Sequence, residues 1–236
     1  MHFLHTSDFH GKFREGFVDH LLAYRQKLTT PSFHIDCGDG LATGNLSIPL
    51  RAPAHWEILH RLGCDVATLG NRETHPSQLA FERKMEGCQT PIVLANILPD
   101  RLGALTFHRS LILERDSRRY GFFGVMVPMA KAGTAAGALW SHHFSDPMAA
   151  ALEVVAELRD RVDVLVCLSH VGYSFDVGLA EKAVGVDIIL GGHTHKLTPV
   201  PEQHKSTWIA HPGCFGKGFG HWEWSDGKLS GQFIEI

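Results

Sequence analysis

Five times along this chain a short apolar run ends and side chains able to bind a metal follow directly. Asp8-Phe9-His10 follow FLHTS, Asp39 follows FHIDCG, Asn71 follows VATLG, His170 follows VLVCLS, and His193-Thr194-His195 follow DIILGG. In an α/β sheet, residues just past the strand ends converge on one rim, which is where ligands bind. Taken singly, each has an ordinary explanation: Asp39 lies between two glycines and suits a turn, and Asp8 and Asn71 suit caps. Taken together, they are carboxylates, imidazoles and one amide oxygen without a thiolate, a set that suits Mn, Fe, Zn or a similar divalent ion. Two such ions ~3.5–4 Å apart can share a carboxylate and generate a hydroxide near neutral pH.

The periodicity between these points alternates short strands with amphipathic helices. Strands are expected at 3–7, 33–37, 66–69, 92–95, 162–168 and 186–190. Helices are expected at 15–28, 54–62, 76–85, 148–158 and 179–184. Three β-type runs fall between 105 and 127, and Ser225-Asp226-Gly227-Lys228 forms a tight hairpin turn near the end. The order βαβαβα, followed by strands and a closing hairpin, predicts an α/β fold with mixed sheets. No Pro/Ser-rich linker interrupts the chain, so residues 1–236 are expected to form one domain. The least regular stretch, 128–145, contains KAGTAAGALWSHH and suits a loop near a site.

Composition narrows the partners. With 22 Lys+Arg against 25 Asp+Glu the net charge is −3, which gives no nucleic-acid stripe and no membrane-seeking surface. The five cysteines are scattered without a C-x-x-C pair, which suits a reducing, cytoplasmic setting. The first residues, MHFLHTSDFHGK, lack the apolar core of a signal peptide, so the Asn45-Leu46-Ser47 sequon carries little weight. Seventeen histidines are more than packing alone requires.

SDFHG, CGDG, LGNRE, LSHVG and LGGHTH, in that order, resemble the signature of the calcineurin-like metallophosphoesterases. LANI at 94–97 and the Gly-rich PGCFGKGFG make the chain most similar to the 5′-nucleotidase branch. The resemblance implies a four-layer α/β/β/α sandwich of two mixed sheets with a dimetal site at the strand ends. It also implies that Asp8, His10 and His195 bind one ion, that Asn71, His170 and His193 bind the other, and that Asp39 bridges them. A metal-bridging hydroxide would then hydrolyse a small phosphate mono- or diester, nucleotides included. Two alternatives stand beside this reading: hydrolysis of another oxyanion ester, such as a sulfur-linked one, at the same site, or a weakly catalytic metal-binding scaffold.

The chain departs from the family pattern at Arg72, where a His is usual. An Arg keeps its proton and is a poor acid, but it can clamp phosphoryl oxygens. The expected roles are substrate binding by Arg72 and Asn71, orientation of Arg72 by an ion pair with Glu73, and proton donation by His75. Residues 1–236 are expected to correspond to the catalytic domain alone, and the resemblance implies a further, C-terminal base-binding domain in the nucleotide-cleaving relatives. Trp140, His142, His143 and Phe144 are more readily loop packing than a substitute for it.

Overall fold

The computed structural model describes residues 1–98, 105, 107–130, 133–135 and 137–236. Two mixed sheets lie face to face. The first has the order β11-β10-β1-β2-β3 and the second β4-β5-β6-β7-β9-β8. In the first, β1 (His2–Thr6), β2 (Ser32–Asp36) and β3 (Val66–Ala67) run parallel, while β10 (Gly218–Ser225) and β11 (Lys228–Glu235) join antiparallel. In the second, β5 (Arg118–Met126), β6 (Val164–His170), β7 (Ile188–Gly191) and β9 (Thr207–Ala210) run parallel. Here β4 (Ser110–Arg115) and β8 (Glu202–His204) are the antiparallel edges.

The core explains the layering. Phe3, Phe33, Ile35 and Val66 of the first sheet pack against Tyr120, Phe122, Val166 and Leu190 of the second, all nearly or wholly out of water. On the outer face of the first sheet lies α1 (Phe17–Gln26), with Phe17 and Leu21 inward. On the outer face of the second lie α4 (Pro147–Leu158) and α5 (Tyr173–Lys182). A third cluster joins α2 (Ala54–Arg61) and α3 (Gln78–Lys84) through Trp56, Leu59 and Phe81. Central strands covered on both faces read as continuous apolar runs, which is why β1, β2 and β6 are buried at every position.

Local signals act as expected at several boundaries. Asp146 accepts the Ala149 N–H at 2.8 Å and caps α4, and Gly63 closes α2 with φ +60. Asp226 and Gly227, with φ 51 and 77, form the two-residue hairpin turn between β10 and β11.

Four expectations need correction. The strand expected at 92–95 is only a pair of single bridges, Ala67↔Ile92 and Val93↔His108. Val93 N–H donates to Ala67 of the first sheet and Ala95 N–H to Gly124 of the second, so the segment crosses between sheets and pairs at length with neither. For the same reason β3 is two residues long, not four, since the chain leaves the sheet at Thr68. Of three β-type runs at 105–127, two are strands and the first contributes a bridge at His108; residues 101–104 and 106 lie outside those described. Finally, α5 begins at Tyr173 and not at 179, because Asp176, an interruption in the apolar pattern, is buried in a 2.7 Å contact with His211.

No helix among the described residues is long and apolar enough to cross a membrane. Within 128–145, Trp140, His142 and Phe144 are buried and mutually packed, with His142 against Phe81 at 4.3 Å. This part of the loop is packing.

Candidate metal centre

The strand-end residues converge at the rim shared by the two sheets. The turns after β1 and β2 remain hydrogen-bonded beyond the strands, with Asp8 N–H to Gly38 O at 2.9 Å and His10 N–H to Asp39 O at 2.9 Å. This register holds His10 beside Asp39. From the other sheet, His170 ends β6, and His193 and His195 follow β7.

Two groups result: Asp8, His10 and His195 place ligand atoms within 4.8 Å of one another, and so do Asp39, His170 and His193. In the first, His10 Nε2 and His195 Nε2 are 3.4 Å apart, and Asp8 Oδ1 is 3.8 and 3.6 Å from them. Such spacings would let the three side chains share one divalent ion. Asp39 faces both groups, with Oδ2 3.3 Å from His10 Nε2 and Oδ1 3.5 Å from His170 Nε2.

Second contacts orient these ligands. His170 Nδ1 lies 2.6 Å from the Cys37 carbonyl, which can only accept, so the hydrogen sits on Nδ1 and Nε2 is turned toward Asp39. Nε2 of His170 and Oδ1 of Asn71 are both buried without a hydrogen-bond partner among the described residues. Buried polar atoms are ordinarily paired, and the orphaned His170 nitrogen, grouped with Asp39 and His193, fits a cation. The donor set, all oxygen and imidazole, fits a divalent ion.

The backbone is strained here. Among the described residues ten non-glycine residues have positive φ, and five of them are Asp8, His10, Asp39, His193 and His195. Left-handed turns at non-glycine residues cost ~1–3 kcal/mol each and collect at functional sites. Glycine is required at the neighbouring positions for space. A Cβ on Gly70 would lie 2.3 Å from Asp39 Oδ1, and one on Gly192 would lie 2.8 Å from Asp8 Oδ2.

Electrostatics follows from the convergence of charge. Burial opposes ionisation of Asp39, but His170, His10 and the Arg72 N–H outweigh it and hold the carboxyl far below its usual range. Burial likewise disfavours a charged His170, yet Asp39 raises its pKa to about 9. A metal ligand must give up that proton, so ion binding at this group releases protons.

The LGNRETH segment forms a short 3-10 turn over Asn71–Glu73. Arg72 donates its backbone N–H to Asp39 Oδ1 at 2.7 Å and its Nη1 to the carbonyls of Leu41 and Ala42 at 3.4 and 3.2 Å. Its Nε is 3.9 Å from Asp39 Oδ2, so the guanidinium stands at the rim.

Glu73 does not pair with Arg72. It is fully buried, and its carboxylate accepts the N–H groups of Asp39, Gly40, Leu41 and Gly70 at 2.8 to 3.2 Å. Burial and then the neighbouring Asp39 carboxylate raise its pKa, while His55, the Asp39 N–H and His170 oppose the rise. It braces the Asp39 turn.

His75 is also elsewhere. Its Nδ1 accepts the Ser77 N–H at 3.0 Å and its Nε2 lies 3.4 Å from Leu46 O, so its side chain joins the turn before α3 to the loop of Leu46.

Sequence reasoning missed Phe215, which has φ +63. Its ring packs edge-on against His10 at 5.2 Å and His195 at 5.0 Å, with the Lys12 ammonium 4.1 Å over its ring. Its only signal was its place within PGCFGKGFG. Asn45 and Lys84, described below, had none.

The chain is similar to several known proteins. An apyrase of Tabanus yao is 34% identical over 152 residues, which are 58% of this chain and 25% of the apyrase. A 5′-nucleotidase precursor of Thermus thermophilus superposes on the whole chain with a TM-score of 0.83 at 22% identity, 54% of that chain being covered. A sulfate thiohydrolase, SoxB, of Thermus thermophilus superposes over 99% of the chain with a TM-score of 0.81 at 19% identity, 56% of it being covered. The chain thus spans a quarter of the apyrase and about half of these solved structures. The family model for calcineurin-like phosphoesterases matches residues 1–197, so the chain belongs to the calcineurin-like phosphoesterase family.

Proposed function

We propose that this chain is the catalytic unit of a dinuclear, divalent-metal-dependent hydrolase of small phosphate esters, nucleotides among them. One observation carries the reading: the two oxygens of Asp39 face His10 and His170, members of two different ligand groups. The family, and relatives named for nucleotidase and apyrase activity, support the same chemistry.

Asp8, His10 and His195 would hold one ion, Asn71, His170 and His193 the other, and Asp39 both. Bound there, divalent ions activate water near neutral pH and neutralise phosphoryl charge. Arg72 supplies a fixed cation. Its Nη1 is tied to the Leu41 and Ala42 carbonyls, and its Nη2 has no hydrogen bond among the described residues, so it can meet a phosphoryl oxygen. Because a guanidinium keeps its proton, Arg72 opposes developing charge without acting as an acid.

The test is hydrolysis of nitrophenyl phosphate mono- and diesters with Mn or Zn added. Arg72→Ala is expected to lower kcat by ~10²–10³ with metal content unchanged, and Asp39→Asn to lose metal. An Arg72→Ala variant that turns over like the parent would remove the clamp. Metal uptake without turnover on any ester would favour a binding scaffold.

A second reading, hydrolysis of a sulfur-linked oxyanion ester, draws on Arg72, whose guanidinium matches any tetrahedral oxyanion, and on the fold shared with the sulfate thiohydrolase. Activity on thiosulfonate or sulfate esters exceeding that on phosphate esters would select it.

A further inference from the structure

Among the described residues the side chain of Asn71 makes one hydrogen bond and keeps one polar atom unpaired. Its Nδ2 donates to Asn45 Oδ1 at 2.9 Å, while its own Oδ1 is buried and without a partner. With Asn45 Oδ1 as the acceptor, turning over the Asn71 carboxamide alone would set oxygen against oxygen. The bond to Asn45 therefore ties up the nitrogen of Asn71 and leaves its oxygen as the unpaired atom.

Asn45 lies in a loop without regular structure between β2 and α2, so something else must hold it. Lys84 does this. Its side chain is fully buried, and its ammonium donates to the carbonyls of Gly44 and Asn45 at 2.9 and 3.1 Å and to those of Arg72 and Thr74 at 2.7 and 2.9 Å. Two of these carbonyls belong to the loop carrying Asn45 and two to the turn carrying Asn71. One cation thereby sets the spacing between the two amides. Thr74 Oγ1, donating to Asn71 O at 2.9 Å, fixes the turn itself.

We propose that Asn45 is a positioning residue for the metal centre: it orients the Asn71 carboxamide so that Oδ1 is the ligand atom, with Lys84 as the strut that brings the two residues together. The proposal rests on the dimetal reading above. It gives Asn45 a role inside the molecule that its glycosylation-like sequence context does not suggest.

The experiment is Mn²⁺ titration of the purified chain, followed by calorimetry and by electron paramagnetic resonance, with circular dichroism to verify folding. Asn45→Leu removes the acceptor and keeps the approximate volume; Asn45→Asp keeps an acceptor oxygen. The wild-type chain is expected to bind two ions. Asn45→Leu is expected to weaken one of them by ~10–100-fold, the usual effect of losing an outer partner of a ligand, and to leave the other unchanged. Asn45→Asp is expected to retain both within about threefold. Unchanged binding in Asn45→Leu, equal weakening of both ions, or an Asn45→Asp variant that behaves like Asn45→Leu would each overturn the proposal. A wild-type chain that binds no Mn²⁺ would overturn the dimetal reading first, and this proposal with it.

Discussion

Glu73 Oε2 accepts the backbone N–H of Asp39 at 2.8 Å, so a buried carboxylate holds in place the turn that carries the carboxylate shared by both ligand groups. Each Glu73 oxygen takes two backbone donors. Glu73→Gln turns an amide toward two of those donors and leaves them unpaired. We expect a loss of about 3 kcal/mol, which for a chain of this size lowers Tm by roughly 6–12 °C. Metal uptake should fall with it. Differential scanning calorimetry in the presence of Mn²⁺ checks both, and a Tm within 2 °C of the parent, a limit well inside the roughly 6–12 °C range, would show that the brace is dispensable.

Acid sensitivity follows from the buried histidines. Burial lowers the His34 pKa from 6.5 to about 4, and its Nδ1 has no partner among the described residues while Nε2 meets Thr6 Oγ1 at 3.1 Å. The folded chain therefore keeps His34 neutral where the unfolded chain binds a proton. Its contribution is complete above pH 6.5 and is lost as the pH falls toward 4, about 3 kcal/mol in total. His5 and His142 act in the same direction, since burial lowers both. Urea midpoints measured at pH 7.5 and 5.0 should differ less in His34→Leu than in the parent; equal differences would remove His34 from the account.

Phe215 offers a test of backbone strain. With φ +63 it occupies a conformation that costs a side-chain-bearing residue ~1–2 kcal/mol and costs glycine almost nothing. Phe215→Ala loses the ring contacts with His10 and His195 and keeps the strain, whereas Phe215→Gly loses both. Phe215→Gly is therefore expected to be the more stable of the two by about 1 kcal/mol, the reverse of the order found at most sites. Paired denaturant titrations decide this, and an alanine variant equal to or better than glycine would mean that the turn relaxes.

The convergence of the strand-end residues was legible because each follows an apolar run whose length and composition mark a buried strand. The two-sheet sandwich was legible from the same runs together with the family resemblance. Less could be read where partners are far apart in sequence. Glu73 suggested an ion pair with its neighbour Arg72, but its donors lie as many as 34 residues away. Asn45 and Asn71 are 26 residues apart, and Lys84 reaches back 40 to Gly44. Such contacts depend on how loops fold back over the rim, and no periodicity encodes that. The 92–95 segment failed for a different reason: its composition is that of a strand, but it bridges two sheets and belongs to neither.

Each ligand group draws on both sheets. Asp8 and His10 follow β1 while His195 follows β7; Asp39 follows β2 while His170 and His193 belong to the β6 and β7 ends. An ion in either group is consequently a cross-link between layers that are otherwise joined at this rim by side-chain packing and a few hydrogen bonds. Asp8, His10 and Asp39 stand on one layer, and His170, His193 and His195 on the other. Metal loading should therefore do more than equip a reaction: it should clasp the sandwich shut along one edge, so that the two sheets come apart together or not at all.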